Sequence, residues 1–177
     1  YCISQGWYGS AFLCFVYSIL ADFADGLVAR AVNASGELGK QLDSLADMVS
    51  FGAAPGFVLF TLISIGLYGP EGPGDIMPWA AFPGLLFTAF ACYRLAKFNI
   101  DERQTTGFRG LATPGATVFV YGMLMAYSRN EFNLADFLSN PIVGYVATLL
   151  IGILMVSDLK MFSFKVKNAA WKGNELR

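Results

Sequence analysis

The stretch 21-ADFADGLVARAVNASGELGKQLDSLADMVSFG-52 decides how the rest of this chain is read. It sets four carboxylates, Asp22, Asp25, Asp43 and Asp47, into sequence that is apolar on both sides. Side chains three or four residues apart on a helix project from one face, which is the spacing within Asp22/Asp25 and within Asp43/Asp47. The short connection from Arg30 to Lys40 makes the two helices antiparallel neighbours, so the pairs are expected to converge on one cavity. Four anionic groups so placed repel, and near hydrocarbon each costs about 3 kcal/mol. Arg30 and Lys40 offset only part of this. One or two divalent cations would neutralise the cluster, and an all-oxygen ligand set suits the hard ions Mg2+ or Mn2+. Two such ions about 3.5 to 4 Å apart can clamp the attacking and leaving oxygens of an in-line phosphoryl displacement. Helix capping and ion pairing explain one or two interfacial acids, but not four interleaved with Gly26, Arg30 and Gly39. The two glycines let a nucleotide approach the backbone; close helix packing by small residues is their other reading.

Outward from this stretch the chain is a membrane protein by composition. Of its 177 residues 55% are hydrophobic and 14% charged, against about 45 to 50% and about 25% in soluble domains. The expected fold class is all-α, a polytopic transmembrane helix bundle. Five stretches qualify as bilayer-crossing helices, which need about 20 mostly apolar residues within a range of about 17 to 25: Trp7 to Ala29, Leu45 to Leu67, Ile76 to Ala96, Leu111 to Tyr127 and Pro141 to Ser157. Tyr68 to Asp75 reads as a Gly/Pro turn, and Ser128 to Asn140 as a polar loop holding a short interfacial helix. The chain has no histidine, which excludes His-based catalysis and the commonest zinc ligand. Cys2, Cys14 and Cys92 form no CxxC pair and read as small apolar residues.

Five crossings place alternate loops on opposite sides. Of the twelve basic residues, Arg129 alone falls on the side away from the aspartates, so the aspartate side is cytoplasmic by the positive-inside rule. A net charge of -1 gives no bias toward nucleic acid, which is not expected as a partner. Residues 1–157 are expected to form the membrane domain. Residues 158–177 form a basic tail whose Met161, Phe162, Phe164, Trp171 and four lysines suit a surface of membrane lipids. The chain opens on Tyr1, which the crossing order puts outside. The expectation is a fragment whose intact form has a sixth helix upstream.

The order Asp22-x2-Asp25-Gly26-x2-Ala29-Arg30-x8-Gly39-x3-Asp43-x3-Asp47 resembles the signature of the CDP-alcohol phosphatidyltransferase family at every fixed position. The resemblance implies a six-helix membrane core and a homodimer in a bacterial inner membrane. It implies two metal ions on Asp22, Asp25, Asp43 and Asp47, with Asp47 as general base. It further implies that Asp22, Gly26, Ala29, Arg30 and Gly39 contact the CDP moiety. LDSLADMVSFGAAP (42–55), YRLAKFN (93–99) and FRGLATPGA (108–116) are similar to the integral bacterial members that join CDP-diacylglycerol to L-serine. Those members usually carry Arg in place of Lys97 and Leu-Pro in place of Leu111-Ala112.

On that reading serine's hydroxyl attacks the lipid-side phosphorus and expels CMP. A planar guanidinium holds its carboxylate in a bidentate fork. Arg94 and Arg109 are the first candidates, with Asn99 and Thr113 as polar neighbours; Lys97 and Arg103 read equally well as positive-inside anchors. Two alternatives stand beside it. Glycerol 3-phosphate or inositol phosphate as acceptor would need a denser basic pocket than TTGFRGLATPG provides. A cation transporter would need acids at mid-membrane and paired broken helices, for which there is no sign.

Overall fold

The computed structural model describes residues 1–31, 36–100 and 110–159, with backbone alone at 29–31, 37, 40 and 131. Arg103, Arg109 and the tail from Lys160 lie outside the described residues. All regular elements among the described residues are helices: α1 (Tyr8–Ala31), α2 (Glu37–Asp47), a π-turn (Met48–Ala53), α3 (Ala54–Tyr68), a 3-10 segment (Trp79–Leu85), α4 (Leu86–Ile100), α5 (Thr113–Arg129), a 3-10 turn (Glu131–Asn133), α6 (Leu134–Leu138) and α7 (Pro141–Val156). Three helical stretches are long and apolar enough to cross a bilayer, Tyr8–Val28, Gln41–Tyr68 and Trp79–Ile100. Helices α5 and α7, with 17 and 16 residues, span about 25 Å at 1.5 Å per residue. That is about one turn short of the roughly 30 Å hydrocarbon layer. The five expected spans are therefore five apolar helical segments, of unequal length.

Three boundaries differ from the sequence expectation by three residues or more, one of them the end of α4, which runs on to Ile100 past the expected Ala96. The second helix begins at Glu37 rather than Leu45, because a polar amphipathic turn carrying Asp43 precedes the apolar run. The third begins at Trp79 rather than Ile76: Met77 precedes Pro78, and a residue before proline is pushed out of the α region. Pro83 lies inside the 3-10 segment, where its missing N–H and its ring disfavour a regular α turn. The turn after Tyr68 is made by Gly69, Gly72 and Gly74 at φ +85°, +80° and +61°. The polar loop contains the short helix expected of it, α6, entered through left-handed Asn130 and Asn133.

Helix α3 is the core of the bundle, with Val58, Leu59, Leu62 and Ile63 buried. On one side lies α5; α1 lies beyond it, joined by Phe15, which stacks on Tyr121 at 4.4 Å and meets Phe51 edge-on at 6.5 Å. On the other side α7 closes against α3 and α4 through small residues, as is usual where lipid supplies no hydrophobic drive between helices. A Cβ on Gly144 would meet Ile63, one on Gly152 would meet Phe90, and one on Gly66 would run into the Ser139 carbonyl and Pro141. The last obstacle is largely backbone, which cannot rotate away. Gly66→Val is accordingly expected to cost about 1 to 3 kcal/mol, read as a lower melting temperature in detergent. An unchanged melting temperature would mean that α3 and the loop before α7 are not in close contact.

The π-turn between α2 and α3 has a local cause. Pro55 has no N–H, so it cannot bond the carbonyl four residues back, and its ring crowds that carbonyl, which belongs to Phe51. The chain answers with a wider turn, in which the Ala54 N–H bonds the Val49 carbonyl. The Thr117 hydroxyl of α5 fills the deficit, donating to Phe51 O at 2.9 Å, and beside it Thr88 of α4 donates to Gly52 O at 3.1 Å. A buried carbonyl left unmet costs about 1 to 3 kcal/mol.

Candidate active site

Chain direction brings the C-terminal half of α1, all of α2, the end of α4, the start of α5 and the end of α7 to one end of the bundle. The signature acids are there. Asp22 and Asp25 come from α1 and Asp43 from α2, and one carboxylate oxygen of each lies within 4.8 Å of the other two. Asp22 is half-buried; Asp25 and Asp43 are exposed. Asp47 joins through Asp22, whose side chain it hydrogen-bonds, and feels the charges of Asp25 and Asp43. Two carboxyls in such contact need a proton or a cation between them. The donor set is carboxylate oxygen throughout, the chemistry a hard divalent cation prefers, so the residues present fit the expected metal.

The sequence expectation of four acids around one cavity thus resolves into three within reach of a single ion and a fourth bonded to their edge. Gly26 and Gly39 lie on α1 and α2 with no described atom within 4 Å of where a Cβ would stand. Close packing of a side chain against the described residues does not account for them. Ala29 and Arg30 stand at the end of α1, with backbone alone described.

Behind the acids, Arg94 of α4 is buried, 8% exposed. Its Nη1–H donates to the Thr113 hydroxyl at 2.9 Å; its buried Nε has no partner among the described residues. It interacts electrostatically with Asp47. Thr113, 1% exposed, lies beneath the guanidinium at the first turn of α5 and holds it in place. Asn99 donates from Nδ2 to the Ser44 hydroxyl at 2.8 Å, which ties the end of α4 to α2 between Asp43 and Asp47. Lys97 pairs with Asp158 at 2.9 Å. Next to that pair the Gly110 and Leu111 N–H groups donate to Leu159 O and Leu154 O, so the start of α5 is pinned to the end of α7.

Sequence reasoning missed Ser44, Thr117 and Asp158. Ser44 was findable, since it sits three residues before Asp47 on a helix; the other two act across the bundle and leave no local mark. A cavity of about 450 Å³ opens at the opposite end, lined by Gly6, Tyr8, Tyr127 and Ser128 among others, away from the acids.

Residues 1–157 match the family described as CDP-alcohol phosphatidyltransferase. A CDP-diacylglycerol--serine O-phosphatidyltransferase of Bacillus subtilis is 34% identical over 161 residues, covering 91% of this chain and 78% of that protein. Proteins of the same name from Helicobacter pylori and Methanocaldococcus jannaschii are 33% and 28% identical, over 85% of this chain in each case. The chain spans 59% and 63% of those two relatives. No solved structure matches.

Proposed function

The chain belongs to the CDP-alcohol phosphatidyltransferase family, and from that premise we propose that it transfers the phosphatidyl group of CDP-diacylglycerol to the hydroxyl of L-serine, giving phosphatidylserine and CMP. The observation that carries the proposal is the pairing of two opposite sites. Three carboxylate oxygens within 4.8 Å of one another suit cations on a pyrophosphate. The Nε of a buried arginine, unpartnered among the described residues and linked electrostatically to Asp47 of that cluster, suits the carboxylate of a small acceptor. The names of the relatives agree with serine.

Asp22, Asp25, Asp43 and Asp47 would hold two divalent cations, Mg2+ or Mn2+. Bound there, these would offset charge on the pyrophosphate and on the departing phosphate. Gly26 and Gly39, where a side chain is absent, with Ala29, Arg30 and Asp22, receive the CDP moiety. Serine's hydroxyl oxygen bonds to the lipid-side phosphorus as the bond from that phosphorus to CMP breaks, the electron pair leaving with CMP. Asp47 accepts the hydroxyl proton. Arg94 holds serine's carboxylate, Thr113 holds Arg94, and Asn99 lines the same end; Arg109 is proposed as a second guanidinium for the carboxylate.

The protein is an integral membrane protein. We place the active site on the cytoplasmic face of a bacterial inner membrane, on the strength of the distribution of basic residues, and take the assembly to be a homodimer, as the family resemblance implies.

Purified protein given CDP-diacylglycerol and Mg2+ or Mn2+ is expected to release CMP with serine, to stop on addition of chelator, and to recover when metal is restored. Faster release with glycerol 3-phosphate or inositol phosphate would overturn serine as acceptor, and no release with any acceptor would overturn the reaction class. Arg94→Ala is expected to raise the KM for serine about ten- to a hundredfold, the equivalent of a charge-assisted contact of about 1.5 to 3 kcal/mol, with CDP-diacylglycerol binding little changed. Normal serine binding with lost CDP-diacylglycerol binding would move Arg94 to the donor phosphates.

A further inference from the structure

The acids of α2 reach the cluster only because the helix that carries them is not uniform. The bundle-facing side of α3 is marked by buried Leu59, then Pro55 and Gly56, then Phe51 and Gly52, in steps of about 3.6 residues. Continued as a regular α-helix, that side would next pass through Met48 and then Ser44 and Leu45, leaving Asp47 and Asp43 turned away. The π-turn at Met48–Ala53 accommodates one extra residue, which rotates everything before it by about 100°. The bundle-facing side then falls on Asp47, and after it on Asp43 and Ser44. Exposure at the two positions that distinguish the registers agrees with the rotated one: Leu45 and Val49 point outward, 63% and 67% exposed.

What sustains the wider turn is a pair of hydroxyls from other helices. The Phe51 carbonyl is deprived of its usual donor by Pro55, and the fully buried Thr117 hydroxyl supplies one at 2.9 Å. That hydroxyl also lies 2.9 Å from Thr113 O, but Thr113 O has the Thr117 N–H of α5's own ladder. Phe51 O is therefore the acceptor that depends on the side chain. Thr88 adds a second tie to the same turn, donating to Gly52 O at 3.1 Å. We infer that Thr117, supported by Thr88, is a positioning residue, whose hydroxyl keeps the Pro55-induced π-turn and so keeps Asp43 and Asp47 turned toward Asp22 and Asp25. The inference rests on the metal reading above.

The test is direct Mn2+ binding to the full chain in detergent, followed by the EPR signal of the free ion, so that it does not depend on turnover. Thr117→Val is isosteric and removes only the hydroxyl. It is expected to weaken Mn2+ binding about ten- to a hundredfold, as losing a supporting partner of a metal site does, whereas Thr117→Ser, which keeps the donor, stays within about twofold of the unaltered chain. Thr88→Val, at a partly buried site, is expected to fall between them. Unchanged Mn2+ affinity in Thr117→Val overturns the inference, and so does an equal loss in Thr117→Ser, because packing and not the hydroxyl would then matter. If the unaltered chain binds no Mn2+, the metal reading itself fails and takes the inference with it; the two failures differ in which protein shows the deficit.

Discussion

Asparagine at Asp22, Asp25 or Asp43 is expected to lower CMP release by on the order of 10²- to 10³-fold, the range for removing one group that stabilises developing charge. The substitution keeps the shape and an oxygen but removes the negative charge. These three acids lie with oxygens within 4.8 Å of one another, an arrangement that opposes itself unless cations stand among them. The same variants should therefore fold at least as well as the unaltered chain in the absence of metal, since each relieves repulsion. What they should lose is stabilisation by added Mg2+ or Mn2+, which for a site filled at 100 times its Kd amounts to about 2.7 kcal/mol. Activity assays and metal-dependent melting thus report the same defect by separate routes. Near-normal turnover in any two of the three would sink the two-metal proposal.

Asp47→Asn is expected to act mainly on kcat, by about 10²- to 10⁴-fold, the usual worth of a positioned general base. The chain has no histidine, so no imidazole can take the proton instead. The other acids are committed to the cluster, and Asp47 alone among them combines a hydrogen bond to Asp22 with an electrostatic link to Arg94, the residue proposed to hold the acceptor. The contrast with Arg94→Ala is in kind: one should depress kcat, the other should raise the KM for serine. Should Asp47→Asn keep kcat within about tenfold and change only the metal requirement, Asp47 is a metal ligand alone and the proton goes elsewhere.

The acids were legible early because charge in apolar sequence is costly enough to need a reason, and because spacings of three and four residues have one meaning on a helix. The same logic found Arg94, a charge inside a span. It could not find that Arg94 rests on Thr113 or that Asn99 meets Ser44, since 19 and 55 residues separate those partners. Nor could it see Asp158 as the partner of Lys97, 61 residues away. Pro55 stands within LDSLADMVSFGAAP, but a proline in an apolar run leaves open whether the helix kinks, breaks or widens, and the choice depends on what donors stand nearby.

By itself the sequence determined that this chain is a membrane helix bundle, and it raised the expectation of an acidic, oxygen-only site at one end with the basic residues on the same side. Those conclusions follow from composition, hydropathy and local period, which are properties of short segments. Only the tertiary structure decided the register of that site. It put Asp47 at the edge of the three-acid group rather than within it, buried Arg94 with its Nε unpartnered among the described residues, and set the Thr117 and Thr88 hydroxyls against the carbonyls of the wide turn before Pro55. The physical reason is that a helix's rotation about its own axis is set by the packing and hydrogen bonds of neighbours distant in sequence, and one extra residue in a turn moves every preceding side chain by about 100°.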